Sequence, residues 1–541
     1  MGPTDNNLEG VSRNTSFISR VALITGANFL SFALATATPF IVANLLSPAQ
    51  VGLYKQAFLI VTIVTSILNM QVASGGYYFI PHMPEKRFQI AINILLFYFL
   101  AGSVVAVLFL FYPQWWGIIF SSPDIIQHIP TVGIIILLWL MSATLELLPL
   151  ALGDARTAAV FIILSQLSRS CLIIGATILF RNERAIIRSS VVQCAFQLAL
   201  VFWYLWRRYR PWRNPLDWPL FKAQMANAIP YGAGNVIFYL QGQLHNLFIS
   251  HFFAPAVFAV YSVGCFQLTF LSPLTDSFSA MMFPEIARLG AGKDYQRIIA
   301  IWSDSMRKLA LAFIPACILL FILRHDFFAF LFPRAYAGAS SIFAIYLLCV
   351  LMTMPQTEPI LRAFADLKYF RLKIYIFLLP LSFMALFAGV KIGGLIGVIV
   401  VAVLLKALDL AITLRFISRR IGFTAGDLKA LTPMLWTALA GLLAGAASYC
   451  ARGFMPRILP DEIIAVTRMF AAFNLMICGV LYLVIYLISA FALGAITESE
   501  IKELAPALGK LRRFVPASLW RVASDSLASR KEMRLEKGTR E

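Results

Sequence analysis

The chain has 541 residues, of which 60% are hydrophobic and only 13% charged, with a mean hydropathy of +0.79; soluble domains run at roughly 45–50% apolar and about 25% charged, so a water-soluble globule is excluded. Forty-five Lys and Arg against 26 Asp and Glu leave a net charge of +19. Nucleic-acid binding would need those cations gathered on one exposed face, and here they lie mostly between apolar runs, so no nucleic-acid partner is expected.

Apolar runs of about twenty residues or more recur from Val21 to Leu493, and each is long enough to cross a hydrocarbon layer about 30 Å thick. Backbone polar groups in hydrocarbon must be satisfied within helices or a closed barrel. Stretches such as Ile134–Met141 (IIILLWLM) and Leu475–Leu487 (LMICGVLYLVIYL) are apolar all round, without the alternation of a barrel strand. The expected fold is therefore all-α, a polytopic transmembrane helical bundle.

In chain order, residues 1–20 form a polar N-terminal segment. It runs into a span too long for a signal h-region, so no cleavable signal peptide is expected, and Asn6 breaks the myristoylation pattern. Residues 21–206 hold six expected spans: Val21–Leu46, Leu53–Ile80, Phe88–Tyr112, Pro130–Gly153, Thr157–Phe180 and Ile186–Trp206. Residues 207–227 read as a cytoplasmic linker, RRYRPWRNPLDWPLFK at Arg207–Lys222, whose Leu216–Ala228 stretch suits an amphipathic helix anchored by Trp218. Residues 228–417 hold six more: Ala228–Phe253, Ala256–Phe283, Ile298–Leu323, Ser341–Phe364, Leu367–Gly389 and Gly393–Ile417. Residues 418–494 add Leu431–Cys450 and Ile464–Leu493, about 14 spans in all, as two six-helix lobes plus two extra C-terminal helices.

Residues 495–541 form a basic tail. Thr497 and Glu500 make a capping-box pattern, and Ile501, Leu504, Leu508 and Leu511 recur at helical spacing beside Lys502, Lys510, Arg512 and Arg513. That composition suits contact with anionic membrane lipids; docking of a polysaccharide polymerase or glycosyltransferase is the alternative. With the N-terminus inside, the inner segments carry 23 Lys and Arg against 10 outside, and the tail adds 10 more. The positive-inside rule then places both termini in the cytoplasm, as expected of a multi-pass protein of a bacterial inner membrane. The seven cysteines all lie in apolar segments with no CxxC, and read as small core residues.

The chain repeats itself. Span one ends in PAQVGLY (Pro48–Tyr54) and span seven in PAVFAVY (Pro255–Tyr261), an offset of 207. Trp115–Phe120 (WWGIIF) and Phe327–Phe332 (FFAFLF) echo each other at an offset of 212. Pro-Ala breaks the helix and permits a tight hairpin, with the Tyr expected at the membrane interface. Similar offsets at two places argue for two parallel halves.

The segments LLSPAQVGLYKQAFLI (Leu45–Ile60), FAFLFPRAYAGAS (Phe328–Ser340) and GGLIGVIVV (Gly393–Val401), together with the six-plus-six-plus-two plan, resemble polysaccharide flippases of the O-antigen exporter type. These belong to the multidrug, oligosaccharidyl-lipid and polysaccharide exporter superfamily. The resemblance covers the first twelve spans, and the last two by count. It implies a two-lobed bundle whose central cavity opens alternately to each side, with a polyprenyl-pyrophosphate-linked oligosaccharide as cargo. Movement would run from the cytoplasmic to the outer leaflet, for polysaccharide export. No cofactor or ATP site belongs to that pattern, and the chain has no G-x-x-x-x-G-K-[ST] loop.

Ionisable groups at membrane depth are costly and by default face a cavity or a partner. Arg169, mid-span in FIILSQLSRSCLIIG, and Glu146, at similar depth in the preceding span, read as a cation for pyrophosphate or an acidic sugar with its holder or proton carrier, or as a structural ion pair. Lys406 and Asp409 share a helix face and read as a pair or an ion-coupling site. Gln241 and His245 belong to a polar stripe with Asn235, Gln243 and Asn246, suited either to sugar hydroxyls or to interhelical hydrogen bonds. Lys55 is expected at the outer mouth, and Glu358, between Pro355 and Pro359, at a broken helix; Asp276 sits near a span's cytoplasmic end. Arg169, Lys55, Lys406 and His245 are the cations an anionic cargo would use.

Two rival readings stay open. An ion-coupled multidrug or organic-cation antiporter of the same superfamily would rely on Glu146, Asp276, Glu358 and Asp409. A non-transporting membrane scaffold of an envelope-synthesis complex would need none of them. No loop carries paired carboxylates, a metal set or a nucleophile with its base, so an enzyme is not expected.

Overall fold

Lipid tails are as apolar as leucine, so helices in a bilayer associate through close packing and hydrogen bonds rather than through the hydrophobic effect. The computed structural model describes residues 5–120, 122–209, 216–268, 271–364, 370–424, 426–458 and 467–496, and among them every regular element is helical. The expected basic-tail helix from Thr497 onward and Arg210–Pro215 of the linker lie outside the described residues. Among the described residues, ten helices are long and apolar enough to cross a membrane, and two further apolar helices are shorter. The chain is a multi-pass membrane protein.

It divides into two compact units, the first formed by residues 1–273, 332–346 and 365–409, the second by 274–331, 347–364 and 410–541. In the first unit, α1 (Asp5–Leu45) lies along α9 (Ala155–Phe180), and α4 (Arg87–Phe111) along α7 (Ile129–Ser142). Gly102 allows that second approach, because a Cβ there would come within 2.8 Å of the Leu137 Cα. Helix α2 (Pro48–Asn69) packs on α7, on α11 (Trp218–Phe252) and on α12 (Pro255–Gly264). Thr38 donates to the Ser170 hydroxyl at 3.0 Å between α1 and α9, and Asn93 to the Gln224 side chain at 2.9 Å between α4 and α11.

Both repeated motifs form the expected hairpins. Ser47 caps α2 in a reciprocal capping box with Gln50, and Pro48 and Pro255 occupy the first turns of their helices. Tyr261 differs from expectation, being fully buried and bonded to His245 at 2.8 Å, while Tyr54 is half-buried with its ring 4.9 Å from Phe58. A phenol with a bonding partner inside the protein has no need of an interfacial one.

Several expected spans are interrupted. Leu53–Ile80 divides at Met70 and Gln71, both in the left-handed region with φ of 44° and 57°, into α2 and α3 (Val72–His82). Tyr98 replaces the missing backbone bonds there: its hydroxyl accepts the Ala73 N–H at 2.9 Å and donates to Asn69 Oδ1 at 2.7 Å. Pro130–Gly153 divides at Ala143 into α7 and α8 (Thr144–Ala151). Ala256–Phe283 stops at Gly264 and resumes as α13 (Ser272–Ala291), with Pro273 in its first turn, where a missing N–H costs nothing. Ser341–Phe364 becomes α16 (Ala339–Leu351) and α17 (Glu358–Ala363), divided around Pro355 as its prolines anticipate. The next two spans are two helices within α18 (Phe370–Ile421), as expected, and the chain turns between them at the non-helical Gly394, with φ 54° and ψ −131°. The stretch expected as a separate surface helix at Leu216–Ala228 instead begins α11, capped by the Asp217 carboxylate on the Leu220 N–H. Lys86 holds that carboxyl below the usual range through a 2.7 Å ion pair. Cys194, Cys317, Cys349 and Cys478 are buried as expected, but Cys171 and Cys450 are exposed.

The second unit packs α19 (Thr432–Ile458) against α14 (Tyr295–Ile322) and α20 (Thr467–Leu493), and α20 also meets α15 (Arg324–Leu331). Gly441 and Gly445, four apart, open the contact surface: Cβ atoms there would lie 2.8 and 2.6 Å from the Ile318 and Ile322 methyls. This is the small-xxx-small logic of membrane helix packing. Asp326, 5% exposed, pairs with Arg452 at 2.6 Å and accepts from Asn474 at 3.1 Å, tying α15 to both C-terminal helices. Asp326→Ala strands the other two groups, and about 2–4 kcal/mol of stability is expected to go with it, read as a lowered unfolding midpoint in detergent. A midpoint equal to the parent's would show that the cluster does not hold those helices.

Candidate functional site

Five helices of the first unit turn a largely polar set of residues toward one cavity. On α1 the set is Asn28, Ser31, Phe32 and Ala35; on α7 and α8 it is Trp139, Ser142, Ala143 and Glu146. Helix α9 supplies Ile162, Ser165, Gln166 and Arg169, and α10 (Glu183–Arg208) supplies Gln193 and Gln197. The spacings of three, four and seven put each set on one helix face. They enclose a cavity of about 410 Å³, within the range of roughly 300–1,000 Å³ typical of small-molecule sites.

Arg169 is the one cation of this lining and Glu146 the one anion. The Arg169 guanidinium lies 4.5 Å from the Trp139 ring centroid and 5.9 Å from that of Phe58. It makes no ion pair or side-chain hydrogen bond among the described residues, and neither does Glu146, which is exposed to the cavity. The aromatic faces hold the guanidinium by cation–π attraction and leave its N–H donors for something else. Gln197 bonds Ser165, and Gln166 donates to Ser170 at 3.2 Å, so part of the lining is braced from behind.

A smaller cavity of about 160 Å³ adjoins it across Trp139 and Ala143, which line both. It sits at the α2–α3 break and is lined by Thr65, Ser66, Asn69, Met70, Gln71, Tyr98, Gly232, Asn235 and Tyr239, with no charged side chain. Helix α11 reaches it only because residue 232 is glycine: a Cβ there would lie 2.5 Å from the Met70 backbone.

Of the sequence-expected residues, Arg169 and Glu146 line the larger cavity together, without the structural ion pair considered for them. Lys55 is half-buried on α2, without an ion pair or side-chain hydrogen bond among the described residues and outside both linings. His245 is committed to Tyr261, and Gln241 donates to Ser382 at 3.4 Å. Lys406 is exposed and does not pair with Asp409, which accepts from Tyr375 at 3.5 Å. In the second unit, Glu358 pairs with Arg362 at 2.6 Å and Asp276 is exposed. Asn28, Ser31, Ser165, Gln166, Gln193 and Gln197 were not singled out from the sequence, although Gln193 and Gln197, four apart in an apolar span, carry the same signal as Gln241 and His245.

The polysaccharide biosynthesis protein family matches residues 41–341. No curated protein sequence matches the chain. Among solved structures, the lipid II flippase MurJ in an inward closed conformation is similar with a TM-score of 0.61 at 14% identity, over 86% of this chain and 98% of that one. An inward-facing multidrug resistance MATE family transporter of the MOP superfamily follows with a TM-score of 0.56 at 12% identity, over 75% and 98%. A MOP superfamily transporter from Pyrococcus furiosus gives 0.54 at 13% identity, over 74% and 95%. The fold is that of these helical transporters, and the match over more than half its length shows that the chain belongs to the polysaccharide biosynthesis protein family.

Proposed function

We propose that the protein is a flippase that moves a polyprenyl-pyrophosphate-linked oligosaccharide from the cytoplasmic to the outer leaflet by alternating access. The observation that carries this reading is Arg169: a guanidinium without an ion-pair partner among the described residues, at membrane depth, in a cavity otherwise lined by amides, hydroxyls and aromatics. A fork of N–H donors in a low-dielectric site matches phosphate oxygens, and the neutral polar groups around it match sugar hydroxyls. Family membership and a fold shared with MurJ support it.

In this reading the chain is built as two parallel six-helix halves. The run of α4, the short helix Gln114–Phe120, α7 and α8 repeats as α14, α15, α16 and α17, which supports that division. Both termini face the cytoplasm of an inner membrane, and the basic tail lies on anionic lipid. Glu146, open to the same cavity, supports proton coupling, and it also keeps an organic-cation antiporter as the second reading.

Sidedness of the lipid-linked saccharide in cells lacking the protein tests this, using a membrane-impermeant lectin or glycosidase on spheroplasts. Accumulation on the cytoplasmic face, reversed by the wild-type gene, is the expected result. Unchanged sidedness together with sensitivity to cationic drugs would replace the flippase by the antiporter.

A further inference from the structure

The α2–α3 break costs the fold something. Two consecutive non-glycine residues, Met70 and Gln71, hold positive φ, a conformation that persists only where the surrounding structure enforces it. Three features hold it open: the Tyr98 hydroxyl bridging Asn69 and Ala73, the glycine at 232 admitting α11, and the cavity between them.

The groups on that cavity are chemically uniform. Ser66, Gln71 and Asn235 make no side-chain hydrogen bond among the described residues, although they are half-buried in an apolar span. Each amide offers two donors and an acceptor, and leaving them unmade in a membrane interior is costly. Tyr239, 46% exposed, and Trp139 add aromatic surface. There is no charge for a phosphate and no continuous apolar wall for a prenyl chain. The volume of about 160 Å³ equals that of about five waters, the scale of one sugar ring.

We propose that this cavity is the saccharide subsite: Gln71 and Asn235 bond the hydroxyls or acetamido group of the sugar nearest the pyrophosphate, Tyr239 and Trp139 face its ring, and Arg169 takes the pyrophosphate across Trp139. The inference rests on the flippase reading and adds where the glycan is recognised. It assigns specificity to the neutral pocket at the helix break and affinity for the anion to Arg169.

The test is binding to the purified full chain in nanodiscs, with two kinds of probe: farnesyl pyrophosphate, and farnesyl pyrophosphate carrying a single hexose, N-acetylhexosamine or deoxyhexose. At least one glycosylated probe is expected to bind about tenfold or more tighter than farnesyl pyrophosphate, since sites built to hydrogen-bond a hydroxyl discriminate strongly. Gln71→Leu and Asn235→Leu should each collapse that ratio toward one and leave farnesyl pyrophosphate binding unchanged, which also reports that the variants are folded. Tyr239→Leu, one turn beyond Asn235 on α11, provides a third variant and should lower the same ratio. Arg169→Gln should weaken both kinds of probe and preserve the ratio. A ratio that survives all three subsite variants, or equal binding of every probe to the wild type, overturns the subsite while leaving the anion site standing. No binding of any probe to the wild type overturns the flippase reading and the subsite with it.

Discussion

Arg169→Gln is expected to slow translocation of the lipid-linked saccharide about 10- to 100-fold, the range that follows from losing one or two charge-assisted hydrogen bonds of about 1.5–3 kcal/mol. The folded protein should meanwhile be no less stable than its parent. An arginine at the centre of a span costs about 2.5–3.5 kcal/mol by insertion scales, and here only ring faces, with Trp139 at 4.5 Å, offset that cost. Arg169→Lys keeps the charge without the planar fork and should fall between the two. The measurement is the rate at which the saccharide becomes accessible to an impermeant lectin, paired with a thermal melt of the purified variant. A structural ion pair would give the opposite pattern, a lowered melting temperature with transport restored in whatever protein folds. Parent-like transport by the glutamine variant would remove Arg169 from the site.

Gly52→Ala should cost stability directly. A Cβ at residue 52 would stand 1.9 Å from the Pro255 carbonyl oxygen and 2.3 Å from its carbon, both backbone atoms that cannot rotate away. The two repeated hairpins meet at this point, α2 against α12, so relief requires shifting a whole helix. Overpacking of this kind typically costs about 1–3 kcal/mol, and the β-branched Gly52→Val should cost more. Ala259, at the matching place in the second hairpin and fully buried, is the control: Ala259→Gly loses only about 0.5–1 kcal/mol of helix propensity. Unfolding midpoints by fluorescence-detected size exclusion would separate them. Equal midpoints for Gly52→Ala and the parent would mean that α2 and α12 do not approach this closely in the membrane.

The sequence by itself determined the membrane solvent, the all-helical architecture, most helix ends and the two Pro-Ala hairpins, because hydropathy, proline geometry and capping act within a few residues. It also showed the doubled prolines around Glu358 and the place of the broken helix there. The interruption at Met70–Gln71 was only half legible: two amides, Asn69 and Gln71, stand in an apolar span, but the Tyr98 hydroxyl that sustains the break comes from another helix. Likewise, spacing put Ser165, Gln166 and Arg169 on one face, yet it could not say that Glu146, Gln193 and Asn28 would oppose them. The tertiary structure alone decided that Arg169 and Glu146 share a cavity while Lys55 and Lys406 line neither. It also committed His245 to Tyr261 and placed Gly52 against Pro255. Period and hydropathy define which face of a helix is polar. Which neighbour that face meets depends on contacts between residues far apart in the chain, and no local pattern encodes them.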